Sequence, residues 1–227
     1  MEIESVQQKF YLFSQSSKML NDREEYYFPR FNYSACELWL CTELCHLINF
    51  EGGNLQASSD GEAFLYNEDY KRDLTLYLSG RSGSPKIASH IEVKIIYPVA
   101  RSKFDESVDN LFQKLKSSFH ADYNQEGWIY LVWTQHYSST PESFFKSRIE
   151  WLEEQLGSKE FLDHEDNQLR PYYSQVHEIA DGSINWRGED KRIVVKAIAF
   201  SFNKDIRALA KDVRNQWGRS FDMLENS

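Results

Sequence analysis

Arg72-Asp73-Leu74-Thr75-Leu76-Tyr77-Leu78 and, after a loop, Ser89-His90-Ile91-Glu92-Val93-Lys94-Ile95-Ile96-Tyr97 are the stretches whose reading decides the fold. In the first, Leu74, Leu76 and Leu78 alternate with Asp73, Thr75 and Tyr77. This is the period of two expected of a strand with one face on a core. In the second, Ile91, Val93 and Ile95 share one face, and Glu92 and Lys94 share the other. Between them, Ser79-Gly80-Arg81-Ser82-Gly83-Ser84-Pro85 is turn chemistry, and Pro98 ends the second strand. The pair therefore reads as two adjacent strands, with Asp73 placed on the first and Glu92 and Lys94 on the second.

Upstream, Ser34–Phe50 reads as a helix, with Ser34 as N-cap and Gly52-Gly53 as its stop. At helical spacing Leu38, Leu40, Cys41, Leu44, Cys45, Leu47 and Ile48 crowd one side. Glu37 falls near the middle of that apolar arc and Glu43 well off it. A carboxylate in a buried face is costly unless it is paired, so Glu37 is the odd residue of this helix. The bland alternative is a first-turn acid favoured by the helix dipole. A short strand is expected at Ala63–Tyr66. Downstream, Val108, Leu111, Phe112, Leu115 and Phe119 recur at helical spacing in Phe104–Phe119. The compact apolar run Trp128–Trp133 reads as a buried strand. Glu142–Leu156 reads as an acidic helix, Arg192–Phe202 as a strand and Asp205–Trp217 as an amphipathic helix.

The chain has 227 residues and no linker-like or repeated tract. A single domain over 1–227 is expected, with a core at about 34–134 and an α/β extension at about 141–227. No apolar window is long enough to cross a membrane. The acidic, polar start is unlike a signal peptide, so a cytoplasmic protein is expected. Cys36, Cys41 and Cys45 are odd in number and lack zinc-ligand spacing, so they read as apolar fillers in a reducing compartment. The aromatics Tyr26, Tyr27, Phe28, Phe31 and Tyr33 read as core rather than as a base-stacking surface. The net charge of −9 argues against a protein that coats nucleic acid through a basic surface. The distribution is uneven, however. Residues 71–118 carry nine bases against five acids, whereas residues 1–70 carry four bases against twelve acids. No Walker, dinucleotide-binding, G-x-S-x-G or H-E-x-x-H motif is present, and His136 reads as an ordinary surface residue.

Glu37 on a helix, Asp73 on a strand and Glu92-x-Lys94 on the next strand, in the order α-β-β-α-β, resemble the PD-(D/E)XK nuclease superfamily. The resemblance covers roughly a hundred residues. It implies a restriction-endonuclease-like core, a mixed sheet flanked by helices, and a Mg²⁺- or Mn²⁺-dependent nuclease, expected to be an endonuclease. The expected substrate is DNA in preference to RNA. Asp73 and Glu92 would be the metal ligands, Lys94 would orient the attacking water or stabilise the developing charge, and Glu37 would be the fourth acid. Restriction, repair or antiviral defence and a homodimer are further implications of the resemblance. Separately, the acidic extension at Glu142–Asp166 could dock a protein partner that supplies DNA binding. Arg72 stands where the family has proline. Glu189-Asp190-Lys191 repeats the E-x-K pattern but is set aside as part of a Gly-containing turn. Two alternatives stand beside this reading. One is a catalytically silent subunit on the same fold, acting as a protein-interaction or nucleic-acid-binding module. The other is a solvated hairpin face in which Asp73, Glu92 and Lys94 form ion pairs worth under about 1 kcal/mol.

Overall fold

The computed structural model describes residues 10–31, 36–51, 61–68, 72–80, 86–97, 101–117, 124–135, 141–158, 161–162, 168–169 and 171–201. Its helices are α1 (Tyr11–Asn21), α2 (Glu24–Phe31), α3 (Glu37–His46, continued by a single π turn, Leu47–Glu51), α4 (Arg101–Ser117) and α5 (Glu142–Ser158). Its strands are β1 (Gly61–Asn67), β2 (Leu74–Gly80), β3 (Lys86–Ile96), β4 (Asn124–Thr134), β5 (Phe161–Leu162), β6 (Gln168–Leu169), β7 (Tyr172–Tyr173), β8 (His177–Trp186) and β9 (Glu189–Ser201). Seven strands form one mixed sheet in the order β1-β2-β3-β4-β9-β7, with β8 also paired to β9. Among the described strands of this sheet, β3 and β4 run parallel and the other pairs are antiparallel. A parallel pair needs a crossover, and α4 supplies it.

Alternation along the strands sorts the apolar side chains into two cores, one on each face. Ile91, Val93 and Ile95 of β3, Trp128, Tyr130 and Val132 of β4, and Ile193, Val195, Ala197 and Ala199 of β9 pack with α1, α2 and α3. Ile96 of β3, Ile129, Leu131 and Trp133 of β4, and Val194, Ile198 and Phe200 of β9 pack with α4 and α5. The result is three layers, helices on both faces of a sheet. β9 runs beside β4 through the full register Glu126↔Ser201 to Thr134↔Ile193, so the C-terminal half contributes a strand to both cores. Among the described residues no helix is long and apolar enough to cross a membrane.

Several expectations shift. Asp73 sits in a bend just before β2, whose first residue is Leu74. Leu38, read as part of the buried arc, is 56% exposed, while Leu40, Cys41, Leu44, Leu47 and Ile48 are buried. Helix α3 starts at Glu37 with Cys36 as N-cap and no side-chain cap, so Glu37 is a first-turn acid, and it is turned toward β3, where it meets Ile95 N and Lys94. Glu189-Asp190-Lys191 lies inside a strand, because the turn is only Arg187-Gly188, both at positive φ (55° and 86°). This is the backbone of a two-residue hairpin turn. Helices α1 and α2 and strand β8 are additions to the sequence reading. Tyr27 and Phe31 are core as expected, whereas Tyr26 is exposed. The Ser34 cap, the Gly52-Gly53 stop, Pro98, His136 and the Asp205–Trp217 helix fall outside the described residues.

Candidate active site

Antiparallel pairing between β2 and β3 ends at Leu74↔Ile91. Beyond that rung β3 continues to Ile96 with β4 on one side only. Its backbone N–H groups on the open side must find other acceptors. Asp73 Oδ2 accepts from Val93 N at 2.8 Å, and Glu37 Oε2 accepts from Ile95 N at 3.0 Å. Two carboxylates thus replace the missing strand at successive outward amides. The local sequence explains both placements. Asp73 immediately precedes the first paired residue of β2, and Glu37 is the first residue of α3, where the helix dipole favours an acid.

Glu92 and Lys94 share the face of β3 opposite Ile91, Val93 and Ile95, yet their side chains part. The Lys94 ammonium turns to Glu37, 3.2 Å from Oε1 and 3.1 Å from Oε2. Both groups are more than a third exposed, so this pair is worth at most about 1 kcal/mol. The Glu92 side chain is only 1% exposed. Arg72 Nη1 donates to its Oε1 at 3.2 Å, and Lys114, in the last turn of α4, donates to its Oε2. Gly127 is Glu92's neighbour across the parallel ladder. A Cβ there would lie 2.4 Å from the Phe200 ring and 3.0 Å from Leu115, so both side chains close over the glycine.

Burial pushes the Glu92 carboxyl above the usual carboxylate range; the Lys114 ammonium pulls it back and the Asp73 charge pushes it up again. The buried Cys41 thiol is raised first by burial and then by the charges of Asp73, Glu37 and Glu92, together with Cys45. The three acids therefore act on one neighbourhood of α3. Burial dominates the thiol shifts, as expected of filler cysteines, and pushes Cys45 up to about 12.

The structure thus brings Glu37, Asp73, Glu92 and Lys94 to one edge of β3. Reading by motif missed the two cations that complete the cluster. Arg72 was visible only as a departure from a family pattern, and Lys114 lies 22 residues from Glu92 with no spacing to mark it. Formally three acids face three bases. Among the described residues no group of three His, Cys, Asp or Glu side chains is arranged to hold a metal ion. The donor set suits a hard cation held by one or two carboxylates, with water and phosphate completing the shell. Asp73 and Glu92 are the pair whose charges interact. A cation at Glu92 would take the place now held by the Lys114 ammonium. No family model, curated protein or solved structure matches the chain.

Proposed function

We propose that the chain is a metal-dependent nuclease acting on DNA, built on a restriction-endonuclease-like core. The observation that carries this reading is the open edge of β3 beyond the last β2–β3 rung, where Asp73 and Glu37 bond successive amides, Lys94 pairs with Glu37, and Glu92 lies two positions before Lys94 with its side chain turned to Arg72 and Lys114. Asp73 and Glu92 would hold Mg²⁺ or Mn²⁺. When bound, the ion supplies a charge sink for the phosphoryl oxygens and lowers the pKa of water. Lys94, held at the edge by Glu37, is the proton-bearing group that can orient a water or meet charge developing on phosphate. Lys114 and Arg72 keep Glu92 neutralised until a cation replaces one of them. Homodimerisation and restriction or antiviral defence come to this reading by analogy alone, and a DNA-binding partner rests on the acidic stretch that begins at Glu142.

A second reading is favoured by one observation. Both Glu92 oxygens are already engaged by cations, and the side chain is shut from solvent. A catalytically silent nuclease-like subunit, acting as an interaction or nucleic-acid-binding module, would look the same. The deciding experiment offers circular and linear duplex DNA, single-stranded DNA and RNA to the wild type and to Lys94→Ala, with Mg²⁺ or Mn²⁺ and with chelator. Metal-dependent cutting of DNA by wild type is expected, with Lys94→Ala slower by about 10²–10⁴-fold. Cutting that survives the substitution would place the chemistry elsewhere. Its absence in wild type would favour the silent subunit.

A further inference from the structure

Glu92 is a buried carboxylate whose two oxygens are taken by cations of unlike kind. Arg72 holds Oε1 from the position next to Asp73, and its side chain is only 19% exposed. Lys114 holds Oε2 from the last turn of α4, and its side chain is 48% exposed. The next residue, Leu115, is fully buried and anchors that turn. Lys114 therefore reaches the carboxylate from the solvent side, as a compact ammonium on a flexible four-carbon stem. Of the two cations, it is the one that can leave without unpacking the core.

The surroundings favour a cation at Oε2 independently of the lysine. A desolvated carboxylate needs a counter-charge. Asp73 is fixed beside Glu92 by its bond to Val93 N. The C-terminal turn of α4 adds the negative end of the helix dipole. Because Lys114 belongs to that turn, a displaced ammonium stays near the last carbonyls of the helix, where a positive charge is stabilised.

We propose that Lys114 is a resident counter-ion that occupies the place of a divalent metal ion at Glu92 and yields it when the ion binds. The inference deepens the nuclease reading and rests on it for the ion and for Asp73 and Glu92 as ligands. It accounts for a Glu92 that is both sealed and saturated. The net affinity for the ion is the attraction of the carboxylates less the cost of displacing the ammonium. Loss of the positive charge at this one position, and not loss of charge in general, should strengthen binding.

The test is isothermal titration calorimetry with Mn²⁺ alone, on the full chain stripped of metal by chelator, at neutral pH. Lys114→Met is expected to bind Mn²⁺ about ten- to a hundredfold more tightly than wild type, the equivalent of one charge-assisted hydrogen bond no longer given up. Lys114→Gln, which keeps a donor for the carboxylate, should move the same way by less. Lys116→Met removes the same charge from the same turn and should leave the affinity unchanged. In Glu92→Gln/Lys114→Met the gain should vanish. In chelator Lys114→Met should melt below wild type, because Glu92 has lost a counter-charge, and Mn²⁺ should restore it. No gain in either Lys114 variant, an equal gain in Lys116→Met, or a gain that survives Glu92→Gln would each overturn the proposal. A gain through Glu92 in a protein whose wild type cuts no nucleic acid would uphold the resident counter-ion and sink the nuclease reading. Wild type that cuts, with Lys114 variants that bind Mn²⁺ no better, would do the reverse.

Discussion

Glu92-Val93-Lys94 and Glu189-Asp190-Lys191 are the same triplet pattern in two strands of one sheet, and they end in opposite states. Glu92 is almost fully buried and takes its partners from outside the triplet, Arg72 before β2 and Lys114 on α4. Lys94 likewise reaches out, to Glu37 on α3. Glu189 is 71% exposed and pairs with its own triplet's Lys191. The first triplet sits where a strand outruns its neighbour and two helices press on it. The second sits at a hairpin end that runs past the last β4–β9 rung. What separates the candidate site from a decorated surface is therefore the set of elements that bring partners to the triplet.

The largest stability difference between the two should come from removing a partner. Breaking a buried ion cluster strands a desolvated charge, at a cost of roughly 3–5 kcal/mol when burial is complete. Arg72→Ala leaves Glu92 with Lys114 alone, so the expected loss of unfolding free energy at pH 7 is below that figure, about 2–3 kcal/mol in urea titrations. The pH dependence carries the mechanism. The folded pKa of Glu92 is raised by burial, so the stability that goes with its neutral form is fully present below the ordinary carboxylate range. It is lost as pH rises through the raised value. Removing Arg72 raises that value further, so the deficit of the variant should shrink at about pH 4.5. An equal deficit at both pH values would assign the loss to the packing of the arginine stem.

Each triplet also has a glycine beside it, for different reasons, and this sharpens the contrast at intermediate magnitude. Gly127 gives room: its Cβ would meet the Phe200 ring. Gly127→Ala is expected to cost about 1–3 kcal/mol by overpacking and to disturb Glu92, its cross-strand neighbour. Gly188 gives conformation: its φ is +86°, and a Cβ there would meet no described atom within 4 Å. Gly188→Ala should cost about 1 kcal/mol and leave Glu92 untouched. Thermal melts would rank the two, and a larger loss at Gly188 would contradict the packing account.

The strands that carry the candidate site were legible because alternation is a local signal: Leu74 and Leu76 against Thr75, and Ile91, Val93 and Ile95 against Glu92 and Lys94. The bounds of α4, β4, α5 and β9 were also legible to within a few residues. Reading failed where a tertiary contact sets the outcome. Leu38 fits the apolar arc of α3 by angle, but at the first turn of the helix no described element closes over it. Strand β8 reads weakly because its outer half is exposed on alternate residues and its pairing to β9 depends on a two-residue turn. Glu37, Asp73 and the E-x-K triplet could be singled out one by one. That Asp73 and Glu37 would bond successive amides of β3, and that Arg72 and Lys114 would enclose Glu92, depends on where β2 stops and where α4 ends.

The smallest effect is expected at the second triplet, where an unchanged variant is informative. Lys191 pairs with a Glu189 that is mostly in water, where an ion pair gains little Coulomb energy and costs side-chain entropy. Glu189 has its carboxyl held below the ordinary range by Lys191, the reverse of Glu92. Lys191→Ala should leave the urea unfolding midpoint at the wild-type value and any DNA cleavage at the wild-type rate, in contrast to Lys94→Ala. If Lys191→Ala slowed cleavage as much as Lys94→Ala, convergence of elements would not be what marks the site. The hairpin end, with Trp186 and Arg187 beside the triplet, would then have to be counted part of the substrate path.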